Sequence, residues 1–161
     1  GFTIYGWNPL VDNPETKGSL TRQLYTINPL PCMNTGGTVG TAAWIFASTY
    51  LSLPSVALVG MDFGYYSETP FNQTQTYYEL LMRLKDPNDV NDCFVESIFP
   101  LTGEKFYTDP VYFWYRQNFL EMLELSPSKT MNCTEGGTLH HPKLQNLWLD
   151  EFLSMSGVHH G

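Results

Sequence analysis

The sequence predicts an α/β fold, a mostly parallel sheet with helices on both faces. Three observations carry that expectation. Strand-like and helix-like segments alternate along the chain. A glycine loop, Asn34-Thr35-Gly36-Gly37-Thr38-Val39-Gly40, opens an apolar helix, and the strand-like Val56-Ala57-Leu58-Val59-Gly60 follows it and ends on Met61-Asp62. The chain of 161 residues, 42% hydrophobic and 15% aromatic, is long enough for one domain with a real core.

The elements follow in order. Phe2 to Tyr5 reads as a strand and Trp7 to Pro14 as a Pro/Asn loop. A short helix is expected from Leu20 to Ile27, then the glycine loop, then a helix from about Thr38 to Ser52. After the strand at Val56 to Gly60, a long loop runs through Thr69-Pro70. Tyr77, Tyr78, Leu81 and Leu84 recur at helical spacing in a helix from Thr74 to Lys85, and Asp86-Pro87-Asn88-Asp89 stops it. Short strands are expected at Phe94 to Ile98 and Lys105 to Tyr107, around the Thr102-Gly103 turn. Asp109-Pro110 is a strong helix start, an N-cap acid before proline at the first helical position, and Val111 to Leu125 follow. Lys129 to Cys133 form a further strand. A second glycine turn, Thr134-Glu135-Gly136-Gly137-Thr138, then leads past His140-His141-Pro142 into a last amphipathic helix bearing Leu144, Leu147, Trp148 and Phe152.

Charge narrows the partners. A net charge of -8 with eight Lys and Arg provides no basic stripe for a nucleic-acid backbone, and no apolar run reaches the roughly 18 residues of a membrane span. Nucleic acid and anionic membrane surfaces are therefore poor partners, and a homo-oligomer is left open. Any bound phosphate must be held mainly by backbone amides and helix ends, with Arg22, Arg83, Lys85, Lys105 and Arg116 as the cations to watch. Cys32, Cys93 and Cys133 are odd in number and widely spaced, which argues against disulfides and structural zinc and fits a reducing cytoplasm. Asn72-Gln73-Thr74 and Asn132-Cys133-Thr134 match the glycosylation pattern by chance on this reading.

Ligands of parallel sheets collect beyond the carboxyl ends of strands, where both glycine turns and Asp62 fall. Asn34, Thr35, Gly36, Gly37, Thr38 and Gly40 are the expected phosphate cradle, because a glycine loop lets amides approach an anion at the positive end of a helix. The same glycines would equally serve tight helix packing. Asp62 could hold Mg2+ or a ribose hydroxyl, or cap a loop amide. Glu135 and His140 are the candidate proton-transfer residues, against roles as a turn acid and a helix-capping or surface histidine beside His141. Tyr65 and Tyr66, in the loop after Asp62, are candidates for stacking on a pterin or nucleobase. Tyr112-Phe113-Trp114-Tyr115 reads as core packing at helical spacing, against a bolder reading as a stacking platform, and His159 and His160 as a fraying tail.

Trp7-Asn8-Pro9-Leu10-Val11-Asp12, the glycine loop with its helix, Leu58-Val59-Gly60-Met61-Asp62-Phe63 and Asn132-Cys133-Thr134-Glu135-Gly136-Gly137 together resemble the 6-hydroxymethylpterin pyrophosphokinase (MptE-like) family, which takes in the motility-associated factors that glycosylate flagellin. Asn34-Thr35-Gly36 and Gly60-Met61-Asp62-Phe63 also look like pieces of bacterial sialyltransferases. The resemblance spans most of the chain in matching order and implies a Rossmann-like fold and nucleotide use. The family's opening strand and Gly-x-Gly-Pro-Ser turn have no counterpart here, so the chain is expected to lack its N-terminal part, as a fragment of something longer. The loop after Asp62 carries no histidine, which favours the pterin-kinase branch. The resemblance implies a small-molecule nucleotide and acceptor as partners, with diphosphoryl transfer from ATP with Mg2+ to a hydroxymethyl acceptor and Tyr65, Tyr66, Thr134, Gly136 and Gly137 on the acceptor side. The alternatives are a metal-independent glycosyltransferase using a CMP-activated nonulosonate, with His140 or Glu135 as base, and a non-catalytic domain that binds a nucleotide or protein.

Overall fold

The computed structural model describes residues 3–157, so the expectations for Phe2, His159 and His160 fall outside the described residues. Among the described residues eight short strands and six α-helices interleave, but three small sheets replace one continuous sheet. Strands β1 (Asn8–Pro9) and β2 (Cys32–Met33) pair in parallel. Strands β3 (Ser55–Leu58), β7 (Lys129–Asn132) and β8 (Gln145–Asn146) form a parallel sheet in the order β3-β7-β8. Strands β4 (Tyr65–Tyr66), β5 (Val95–Ile98) and β6 (Lys105–Thr108) form an antiparallel sheet in the order β4-β6-β5. Two of the three sheets are parallel, and the expectation of one continuous sheet needs correcting. The local hairpin around Thr102-Gly103 builds its own sheet, because strands joined by a short turn pair antiparallel.

Each helix has a local cause. Helix α1 (Leu20–Ile27) starts on the Asp12 carboxylate, which accepts from Ser19 Oγ at 2.6 Å, Leu20 N at 2.8 Å and Thr21 N at 3.1 Å. Those donors, led by the Ser19 hydroxyl, hold the Asp12 carboxyl down at about 2. Helix α2 (Val39–Ile45) begins with a capping box between Thr38 and Thr41, then loosens into a π-helical turn at Phe46–Tyr50. Helix α3 (Tyr77–Leu84) is shorter than expected, and Asp86 and Pro87 do more than stop it: Asp86 caps a further short helix, α4 (Pro87–Asn91). Helix α5 (Pro110–Leu125) starts at Asp109 as expected, with its carboxylate accepting from the amides of Val111 and Tyr112. The final helix, α6 (Leu149–Met155), is shorter than its apolar pattern suggested, because β8 draws Gln145 and Asn146 into the parallel sheet. Residues 3–7 form no strand.

The core is the cluster of Trp44, Leu58, Phe63, Phe119, Leu123, Leu139 and Leu144, which joins α2, β3 and α5 to the segment after the second glycine turn. Trp44 meets Phe119 edge-on at 4.9 Å, and its indole N–H donates to Thr130 Oγ1 on β7 at 3.0 Å. Among the described residues no helix is long and apolar enough to cross a membrane.

Candidate functional site

The C-terminal ends of β3 and β7 lie side by side in parallel register, Leu58 opposite Asn132, so the loops that leave them must meet. Asn132 shapes one of those loops. It is fully buried, its side-chain carbonyl accepts from Thr134 N at 3.1 Å, and its amide donates to Leu139 O at 2.9 Å and Asn146 Oδ1 at 3.0 Å. That occupation also removes Asn132 as a glycosylation acceptor in the folded chain.

The second glycine turn then fastens the Asp62 loop. Met61 N donates to Thr134 Oγ1 at 3.2 Å, Thr138 N to Asp62 O at 2.8 Å, and Thr138 Oγ1 to Phe63 O at 2.8 Å. Gly137, at φ +86°, brings its α-carbon so close to Asp62 that a β-carbon would lie 2.4 Å from the Asp62 carbonyl oxygen. Phe63 (φ 48°) and Glu135 (φ 66°) are non-glycine residues in the left-handed region, so both loops store strain at this junction.

The Asp62 side chain has no ion pair, and no side-chain hydrogen bond from another residue is formed to it among the described residues. It lies exposed at a recess of about 220 Å3 lined by Thr38, Gly40, Gly60 to Gly64 and Tyr112. Desolvation by the recess walls raises its carboxyl above the ordinary carboxylate range. This recess unites the start of α2 with the end of β3.

The expected phosphate cradle is divided. Thr38 and Gly40 face the Asp62 recess, whereas Asn34, Thr35, Gly36 and Gly37 line a separate groove of about 520 Å3 with Trp114, Asn118 and Met122 of α5. The cradle's amides are partly used within the chain: Gly36 N donates to Asn34 Oδ1, Thr38 N to Thr41 Oγ1 and Thr41 N to Thr38 Oγ1, while Thr41 Oγ1 donates to Thr35 O. The packing role of the glycines is also visible. At Gly36 a β-carbon would strike Met122, and at Gly37 it would lie 2.6 Å from the Tyr115 ring.

The remaining candidates are not brought to Asp62. Glu135 lines a cavity of about 650 Å3 with Trp148, Leu149, Asp150 and Leu153, and its carboxylate accepts from Leu149 N at 3.3 Å at the start of α6. His140 is exposed and lies 3.2 Å from Ser97 Oγ, its imidazole pushed below the usual histidine range by desolvation and then by the nearby Arg116 charge. His141 reaches Glu124 at 3.2 Å. Tyr65 is held in place: its hydroxyl donates to the buried Asp109 at 3.0 Å, and its ring packs between Tyr107 and Tyr112 at 5.4 and 5.3 Å. Tyr66 is exposed against Phe106, and Gly136 also packs on Phe106.

Core packing was the favoured reading of Tyr112 and Trp114, yet Tyr112 lines the Asp62 recess and Trp114 lines the groove. The signal was present: four consecutive aromatics sweep about 300° of a helix and cannot all face one core. Among the described residues no three His, Cys, Asp or Glu side chains gather as metal ligands. Fold and site together define a mixed α/β protein with parallel strands whose loops enclose an acid-bearing recess. No protein-family model, no curated protein and no solved structure matches the chain.

Proposed function

We propose that the chain is a Rossmann-like, nucleotide-dependent transferase domain of the MptE-like family, moving a diphosphoryl group from ATP to a hydroxymethyl acceptor. The observation that carries this reading is the partnerless Asp62 carboxylate in the recess beyond β3, facing Thr38 and Gly40 from a segment distant in sequence. Mg2+ keeps most of its water and needs only one or two protein carboxylates beside substrate phosphates, so the donor set of Asp62 alone fits it. When bound, Mg2+ supplies neutralisation of phosphate charge. Thr38 and Gly40 would seat the phosphates, and Tyr112 would wall the recess against water. The bonds from Thr134 and Thr138 to the Met61–Phe63 loop would keep Asp62 in place, so that catalysis would rest on positioning.

Thermal stabilisation by ATP, CTP, CMP and CDP, each with and without Mg2+, tests the reading. A ligand at 100 times its dissociation constant adds about 2.7 kcal/mol. The expected result is an Mg2+-dependent shift with ATP that Asp62→Asn abolishes. A metal-independent shift with CMP or CDP would transfer the site to a glycosyltransferase, and no shift with any nucleotide would overturn both.

A further inference from the structure

Seven of the eight Lys and Arg residues are exposed, where water solvates their charge; Arg116 alone is partly buried. It projects from α5 onto the second glycine turn, where Nη1 donates to Thr138 O at 3.0 Å, and its guanidinium lies 5.1 Å from the centre of the Phe113 ring. A guanidinium carries five N–H donors, and among the described residues no carboxylate lies within ion-pair distance of this one. Its Nε is buried and has no acceptor. Acid is not scarce: sixteen Asp and Glu surround eight cations, and Arg22, Lys105 and Lys143 all have carboxylate partners. Among the described residues this acidic chain leaves its one partly buried Lys or Arg without a carboxylate partner.

Burying a charge without a counter-ion is costly, and proteins normally pair such groups. The neighbours of Arg116 are suited to complete a pocket for an external anion. Arg116 bonds the carbonyl of Thr138, two residues before His140, and His140 Nε2 lies 3.2 Å from Ser97 Oγ of β5, so a planar fork, an imidazole and a hydroxyl belong to the place where α5, the Thr134–His140 segment and β5 meet. Thr138 binds Arg116 through its carbonyl and Asp62 through its amide, so a single residue joins this place to the Asp62 recess.

We propose that Arg116, with His140 and Ser97, forms a binding site for an oxyanion, the phosphate or carboxylate group of a small molecule, distinct from the Asp62 recess. The planar fork matches either group in bidentate geometry. The site stands on the uncompensated cation and does not depend on the nucleotide reading.

The test is an NMR titration of the labelled wild-type chain with inorganic phosphate, and separately with acetate, at ionic strength held constant with sodium chloride. No nucleotide or Mg2+ is present. Saturable shifts of the Thr138 to His140 amides are expected. Arg116→Gln should weaken the affinity about tenfold or more, Arg116→Lys should weaken it less, and Asp62→Asn should leave it unchanged. Saturation by phosphate alone assigns a phosphoryl ligand, and saturation by acetate alone a carboxylate. If neither anion saturates the wild-type signals, the proposal is overturned even if Arg116→Gln does not fold. Equal affinity in a folded Arg116→Gln chain would overturn it as well. Failure here with a preserved ATP shift would remove the oxyanion site alone.

Discussion

The two glycine turns read almost alike, Thr35-Gly36-Gly37-Thr38 and Glu135-Gly136-Gly137-Thr138, yet they are built for different neighbours. The first lies under α5, and its glycines make room for the movable tips of Met122, Tyr115 and Trp114. The second lies against backbone, with Gly137 pressed onto the Asp62 carbonyl and Thr134 and Thr138 bonded to Met61, Asp62 and Phe63. A glycine beside a side chain serves packing that can relax. A glycine beside backbone sets the position of a loop, and here that loop carries the partnerless acid.

The sharpest way to break this contrast is Gly137→Ala. Its β-carbon meets fixed backbone at a positive φ, so a loss of about 3 kcal/mol is expected in urea unfolding, together with any ligand response that depends on Asp62. Gly37→Ala should cost less, about 2 kcal/mol, because the Tyr115 and Trp114 rings can shift. Gly60→Ala meets open space at φ +72° and isolates the backbone cost of about 1 kcal/mol. Equal losses at positions 37 and 137 would erase the distinction between the turns.

Two smaller effects depend on pH. The Asp62 carboxyl titrates above its unfolded value through desolvation, so the folded state binds more protons than the unfolded state between the two values. Stability then falls as pH rises through that window, and ionised Asp62 is a net cost above it. Asp62→Asn should therefore raise the melting temperature at neutral pH, and the gain should vanish once the solution is acid enough to protonate the unfolded carboxyl near 3.8. His140 runs the other way. Its depressed imidazole makes the folded state bind fewer protons, so stability rises with pH from the folded value up to the unfolded 6.5 and is lost below it. His140→Gln should flatten that limb of the melting profile, and a saturating oxyanion should flatten it in the wild type.

Much of the architecture was legible because it is local. The helix from Leu20 to Ile27, the Asp109 helix start, the hairpin around Thr102-Gly103 and strands β3 and β7 follow from caps, turns and apolar runs. The division into three sheets was not legible, because strand order depends on contacts between distant segments. The apolar pattern of Leu144, Leu147, Trp148 and Phe152 fits a helix, yet pairing of Met131 with Gln145 and of Asn132 with Asn146 takes its first part into a sheet. The acid at the end of β3 was legible as a strand-end residue. The separation of Glu135 and His140 from it was not, since a turn's residue types do not say which way each side chain points. Arg116 drew notice only as one of few cations; its isolation required the fold.

The parallel pairing of β3 with β7 has a kinetic consequence. The bonds that join these strands and their loops span 73 to 76 residues, whereas the β5–β6 pairing runs from Val95 with Thr108 to Ile98 with Lys105, across one short turn. Closing the longer loop costs about 2 kcal/mol more in chain entropy before any contact repays it. The hairpin and α5 can therefore order early, while the junction that presents Asp62 assembles late. Pulse-labelled hydrogen exchange should find the Thr138 amide among the last to gain protection during refolding, so a newly made chain would acquire its recess only after most of its secondary structure is in place.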